Sequence, residues 1–168
     1  RLLIIPIVSP GGMAENTRCN PNGVDLMRNA PVEAEGKTPW LVGGQRISAS
    51  LPWYRGIAGG PMEPENQALT DAIHHALRDQ KYCISLDCHS GFGTRDRLWF
   101  PYAKSTAPWP GIGAAHTLTE LFEHSFPSHE QYLFEPQAHS YTTNGDMWDY
   151  LYDDYRACLL YTSDAADE

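Results

Sequence analysis

Apolar residues recur along this chain with several different spacings, and each spacing predicts a different element. Leu2-Leu3-Ile4-Ile5, continued by Ile7-Val8, is an unbroken apolar run of the kind that forms a strand buried on both faces. Leu69, Ala72, Ile73, Ala76 and Leu77 instead fall at the i, i+3, i+4 spacing of one helical stripe. That helix opens near Pro64, which suits a first turn, between Glu63 and Glu65, whose charge complements the positive end of the helix dipole. It is expected to stop near Gln80. Residues 82–88 read as a short strand delivering His89-Ser90-Gly91 to a turn. A second helix is predicted over 113–126 with Leu118, Leu121, Phe122 and Phe126 inward, then a strand over 132–134 and a helix over 147–155.

The connections are uneven. Ser9-Pro10-Gly11-Gly12 is turn chemistry, and residues 56–61 form a second Gly-rich turn. Residues 13–53 are rich in Asn, Gly and Pro and show no sustained period of 2 or 3.6, and so long an irregular segment in a compact domain is usually functional or disordered. Strands alternating with helices make the chain α/β.

Composition changes this picture in two places. The chain has 168 residues, a hydrophobic fraction of 42% and a charged fraction of 20%, enough apolar mass for one core. Its formal charge of −9 argues against nucleic-acid or anionic-membrane partners, both of which need concentrated positive charge. No apolar run approaches the length of a bilayer span. The 4 cysteines do not make a disulfide framework in a chain of this size, and Cys83 and Cys88 are expected to be buried thiols. The compartment stays open, with the cytoplasm slightly favoured.

The ends carry their own expectations. The chain opens with Arg1 and enters an apolar strand at once, which suggests sequence missing upstream. At the other end, residues 158–168 resemble the translation of a common transposase sequencing adapter. We therefore divide the chain into a domain portion, 1–157, and an adapter-like tail, 158–168, and set the tail aside from fold and function. Without its three acids the domain portion carries −6.

The chemistry-bearing residues are few. His89 follows a strand directly, where the ligands of α/β sheets gather. Asp87 is two residues earlier on the same strand face, placed to orient the imidazole. Arg18 and Arg28 lie in the irregular segment, and two planar guanidinium groups there could hold an acidic ligand. The bland alternatives are a structural histidine and two solvated arginines. His74 and His75 are adjacent on a helix and point about 100° apart, which makes sharing a metal difficult. No nucleotide-binding glycine motif and no Gly-x-Ser-x-Gly elbow occurs.

Several segments, in order, resemble the zinc carboxypeptidase family (carboxypeptidase A-like). Residues 7–12 resemble its strand ending in Asn-Pro-Asp-Gly. Thr17-Arg18, then Gly23-Val-Asp-Leu-Met-Arg-Asn29, resemble its arginine followed by Gly-Val-Asp-Leu-Asn-Arg-Asn. Tyr54-Arg-Gly56 and Met62-Glu-Pro-Glu65 resemble its Tyr-x-Gly and Ser-Glu-Pro-Glu pair. Leu86-Asp-Cys-His-Ser-Gly91 with Trp99-Phe-Pro-Tyr102 resembles the third zinc ligand and the strand after it. Residues 141–149 resemble the mobile tyrosine loop. The resemblance spans about Leu3 to Asp149.

It implies a central mixed sheet with flanking helices, here incomplete, and a zinc-dependent metallocarboxypeptidase hydrolysing C-terminal peptide bonds in the intact parent. His89 would be the third zinc ligand and Arg18 the catalytic group that stabilises the oxyanion. Arg28, with Asn29 beside it, would grip the substrate's terminal carboxylate, and Tyr141 would close over the substrate. The implied substrates are peptides or small acyl-amino acids. Alternatives are an N-acyl amino acid deacylase of the same superfamily and a non-catalytic binding domain.

The departures matter as much. Met27 stands where the family has a carboxylate-binding asparagine, and a thioether donates no hydrogen bond. Trp148 would form a bulky apolar floor to the side-chain pocket, against a preference for Lys or Arg. No His-x-x-Glu occurs, so two zinc ligands are expected before Arg1 and the general-base glutamate after Arg156. The fragment by itself should be inactive.

Overall fold

Folding converts these patterns into a small mixed sheet with helices packed on it. The computed structural model describes residues 2–77, 80, 83–91, 96–126, 132–155 and 159–166. In chain order these form α1 (Pro10–Glu15), α2 (Pro64–Leu77), β1 (Ile84–Gly91), β2 (Arg97–Phe100), α3 (Ile112–Ser125), β3 (Leu133–Pro136), α4 (Met147–Tyr155) and β4 (Leu159–Ala166). Short 3₁₀ turns occupy Leu26–Arg28 and Gln137–His139. The sheet order is β1-β4-β2-β3; β1 and β4 run parallel, β4 and β2 antiparallel, β2 and β3 parallel.

The tail that the sequence sets aside thus contains β4, between β1 and β2. Ladder bonds use backbone groups that every residue except proline offers, so this pairing describes the sheet and is indifferent to the origin of the segment.

The expected first strand does not form. Residues 2–8 have no ladder partner among the described residues, and Leu2 and Ile4 are 82% and 71% exposed. A strand exists only through its neighbour, and an apolar run without one stays bare. The turn predicted at Ser9–Gly12 becomes the start of α1, because Pro10 sits at the helix N-terminus and Ser9 Oγ accepts from Gly12 N at 3.2 Å.

α2 opens at Pro64 as expected and its inward face centres on Asn66, Thr70 and Ile73, with Leu69, Ala72, Ala76 and Leu77 half-buried beside them. α3 forms within one residue of its predicted bounds, yet it buries only Ala115; Leu121 and Phe126 are exposed instead of inward. β1 runs on through Gly91, so His89 lies inside the strand and not in a turn after it. Cys88 is exposed and Cys83 half-buried, a correction to the expectation of buried thiols: β1 is an edge strand, and Ile84, Leu86 and Cys88 share its bare face.

The core gathers on α4. Met147, Trp148, Leu151 and Tyr152 are all buried, as the i, i+1, i+4, i+5 stripe of a short helix should be, and pack with Ala30, Ile73, Phe100, Trp109 and Ala115. Trp109 binds this cluster together: its ring lies 5.0 Å from Tyr152 and 5.9 Å from Phe100.

The irregular segment is fastened to this core by polar side chains. Arg55, 4% exposed, forks onto Glu33 at 2.8 and 2.9 Å and also donates to the carbonyls of Arg28 and Val32. Gly145 joins the segment to the start of α4. Its φ is +70°, it exchanges backbone bonds with Val32 and Ala30, and an added Cβ would lie 1.9 Å from the Arg28 carbonyl oxygen.

Candidate active site

Alternation along β1 turns Asp87 and His89 to one face. His89 Nε2 is 2.6 Å from Asp87 Oδ2, and the same oxygen accepts the indole N–H of Trp148 at 2.7 Å. Burial works against the Asp87 charge, but the bonds from His89 and Trp148 outweigh it and hold the carboxyl below its ordinary pKa, with Arg18 contributing. The imidazole therefore sits against an ionised carboxylate.

Arg18 reaches this carboxylate electrostatically while bonding elsewhere: its Nε donates to Asp25 Oδ2 at 2.8 Å. Burial opposes the Arg18 charge, and Asp25 more than compensates, so the guanidinium pKa is raised. Asp25 is itself 2% exposed and accepts Met27 N, capping the 3₁₀ turn that carries Arg28. Tyr141 lies close enough to act on Arg18, and its ring meets Trp99 edge-on at 6.0 Å.

Arg28 is buried, with Nε and Nη1 on the carbonyls of Val42 and Met27. Asn29 is spent on the scaffold: Nδ2 donates to the Arg55 carbonyl, while Oδ1 accepts Glu63 N at 2.7 Å and so ties the 3₁₀ turn to the start of α2. Asp146 links these parts. It accepts Trp148 N and Asp149 N at 3.0 Å each, capping α4, and both Arg28 and His89 act on its charge. Its burial wins, and the pKa is raised.

Asp149, buried beside Asp146, accepts the backbone N–H groups of Ala103 and Lys104; burial and the neighbouring carboxyl push it well above the ordinary range. Both acids, with Trp99, Phe100, Gln137 and Trp148, line a small cleft with room for about one water molecule. Trp148 lines this cleft, and both carboxyls in it are engaged by backbone donors.

Arg18 thus lies within electrostatic reach of Asp87 and Tyr141, and Arg28 and His89 within that of Asp146. Reading the sequence missed Asp146 and Asp149 altogether. Their signal was present: Asp146 precedes a helix and Asp149 follows three residues later, the spacing of a capped N-terminus. Among the described residues no group of three or more His, Cys, Asp or Glu side chains is arranged to hold a metal ion. Nor is any described helix long and apolar enough to cross a membrane. His74, discounted as a ligand, sits 3.0 Å from Asp154 and against the ring of Tyr155 at 4.2 Å.

No protein-family model and no curated protein sequence matches the chain. Solved structures do. Carboxypeptidase A from Helicoverpa armigera superposes with a TM-score of 0.71 at 20% identity, covering 98% of this chain and 42% of that one. Thrombin-activatable fibrinolysis inhibitor superposes with a TM-score of 0.61 at 20% identity, covering 86% of this chain and 34% of that one. Its bovine form, solved with a tick carboxypeptidase inhibitor, gives 0.59 at 19% identity, covering 83% and 45%. The chain spans less than half the length of each of these structures. With helices flanking a mixed sheet and His89 borne on the strand β1, it has the α/β fold of carboxypeptidase A, in part.

Proposed function

We propose that residues 1–157 are the substrate-binding portion of a zinc-dependent metallocarboxypeptidase, a hydrolase of C-terminal peptide bonds, with the adapter-like residues 158–168 contributing no chemistry. The observation that carries this reading is the Asp87–His89 pair on β1 of a carboxypeptidase A-like fold, with Arg18 held by Asp25 within electrostatic reach of Asp87.

The residues present do not fit a whole zinc site. Catalytic zinc takes three protein ligands plus water, and the described residues offer His89 with its orienting carboxylate. His89 would supply one ligand of a site completed by residues of a longer protein, which would also supply the general base. What this chain's own groups do follows from their placement. Arg18 brings a cation held in place by Asp25, suited to an oxyanion. Arg28 brings a buried cation suited to a substrate carboxylate, and Tyr141 a ring and hydroxyl that would cover the substrate. Asp146 and Asp149 cap and brace the helix beside this site through their backbone hydrogen bonds.

A non-catalytic carboxypeptidase-like binding domain is the alternative. Expressing the longer coding sequence alongside this chain separates them. We expect the longer protein to bind one zinc and to release the C-terminal residue from a blocked dipeptide, with loss of both on His89→Ala. The 168-residue chain should do neither, and tight one-to-one zinc with turnover from it would overturn the reading. A longer protein without zinc or turnover would establish the binding domain. Release of an acid from a small acyl-amino acid would instead identify a deacylase.

A further inference from the structure

Asp87 Oδ2 receives two donors from two different elements. One is the imidazole of His89 on the same strand, at 2.6 Å; the other is the indole N–H of Trp148 on α4, at 2.7 Å. We propose that Trp148 is a positioning residue for His89, acting through Asp87 to fix the orientation and tautomer of the imidazole. For its functional meaning this rests on the reading of His89 as the reactive imidazole of the site.

The geometry assigns each group a task. A carboxylate oxygen accepts, so the geometry calls for a proton on the His89 nitrogen facing it, Nε2–H, and a neutral ring would then carry its lone pair on Nδ1. A carboxylate on a strand can still turn about its own side-chain bonds, and one partner leaves that rotation open. A second donor on the same oxygen closes it. Trp148 is a suitable anchor because it cannot move independently of α4. Its backbone N–H donates to the Asp146 side chain at 3.0 Å, and its ring is buried with Met147, Leu151 and Tyr152. A rigid aromatic on a capped helix is thus joined to a flexible carboxylate and, through it, to the imidazole.

Packing alone would require only an aromatic of similar bulk at position 148. The hydrogen bond requires the indole nitrogen. Trp148→Phe separates the two requirements, and Asp87→Asn tests the same link from the other side without touching the core. The measurement is ¹H–¹⁵N NMR of the metal-free full chain, following the His89 ring nitrogens, the exchange of the His89 Nε2–H with water, and the Trp148 indole N–H resonance.

In the parent chain His89 should be the Nε2–H tautomer with a slowly exchanging ring proton. Trp148→Phe should speed that exchange by roughly fivefold, the loss of one hydrogen bond, and broaden the tautomer distribution. Asp87→Asn, which keeps an accepting oxygen but loses the charge, should shift the Trp148 indole resonance and speed exchange of the His89 ring proton together. A His89 signature unchanged in Trp148→Phe, or an indole resonance unmoved by Asp87→Asn, would overturn the inference and leave Trp148 a packing residue. Should Trp148→Phe fail to fold, the response of the indole to Asp87→Asn decides the matter alone. None of these readouts needs a metal or turnover, so a longer protein without hydrolase activity would leave them standing. Their failure would in turn leave the hydrolase reading intact.

Discussion

Gly145 shows how one residue holds two parts of the site. A Cβ at this position would meet the Arg28 carbonyl oxygen at 1.9 Å, and φ is +70°. Gly145→Ala should cost about 2–4 kcal/mol, read as a lowered denaturant midpoint, because both the clash and the backbone conformation penalise it. Glu135 gives a pH dependence. Burial opposes its charge, but bonds from Trp99, Arg97 and Ser140 prevail and lower its folded pKa. The unfolded carboxyl titrates near ~4.3, so the stability it adds is fully present above that pH and is lost as pH falls through the lower folded value. Urea midpoints measured from pH 6 to pH 2 should fall on acidification, and Glu135→Gln should flatten that fall. At neutral pH the same variant should lose about 1–2 kcal/mol. At this scale the sequence was informative about His89 and the arginines, whose chemistry is intrinsic to the residue type. It was silent on Asp87 being shared with Trp148, since that contact joins positions 61 residues apart.

Elements with strong local signals formed where their patterns placed them. α2 begins at Pro64, and α4 spans Met147–Tyr155 as its stripe requires. Their burial was legible only in part. α4 became the centre of the core because Trp109, Phe100 and Ile73 from other segments close around it. α3, with an equally apolar stripe, leaves Leu121 62% and Phe126 60% exposed. Periodicity shows which residues share a face but says nothing of whether another element covers it. Leu151, 2% exposed in the middle of α4, tests the first case. Leu151→Ala should destabilise the chain by about 2–4 kcal/mol and lower its Tm by several degrees in a thermal melt.

Across the whole molecule the notable feature is apolar surface left bare. Leu2, Ile4 and Ile7 are exposed in the first segment, and Ile84 and Leu86 on edge strand β1 are 64% and 60% exposed. Edges of this kind pair with other chains. The double variant Ile84→Thr, Leu86→Thr should reduce concentration-dependent self-association in sedimentation velocity. Its unfolding midpoint should stay within about 0.5 kcal/mol per substitution of the parent.

What the sequence by itself determined is everything set by local chemistry: the positions of α2, α3 and α4, the strand that carries His89, the acidic charge, and the ordered segments that resemble a carboxypeptidase. What only the tertiary structure decided is which of those features meet. It left the first apolar run without a sheet partner among the described residues, put Asp146 within electrostatic reach of Arg28, turned Asn29 inward to the scaffold, and set Trp148 and His89 on a single oxygen of Asp87. The reason is physical. Helix propensity and strand alternation act within about ten residues, whereas burial and a shared hydrogen bond depend on distant segments arriving at one place.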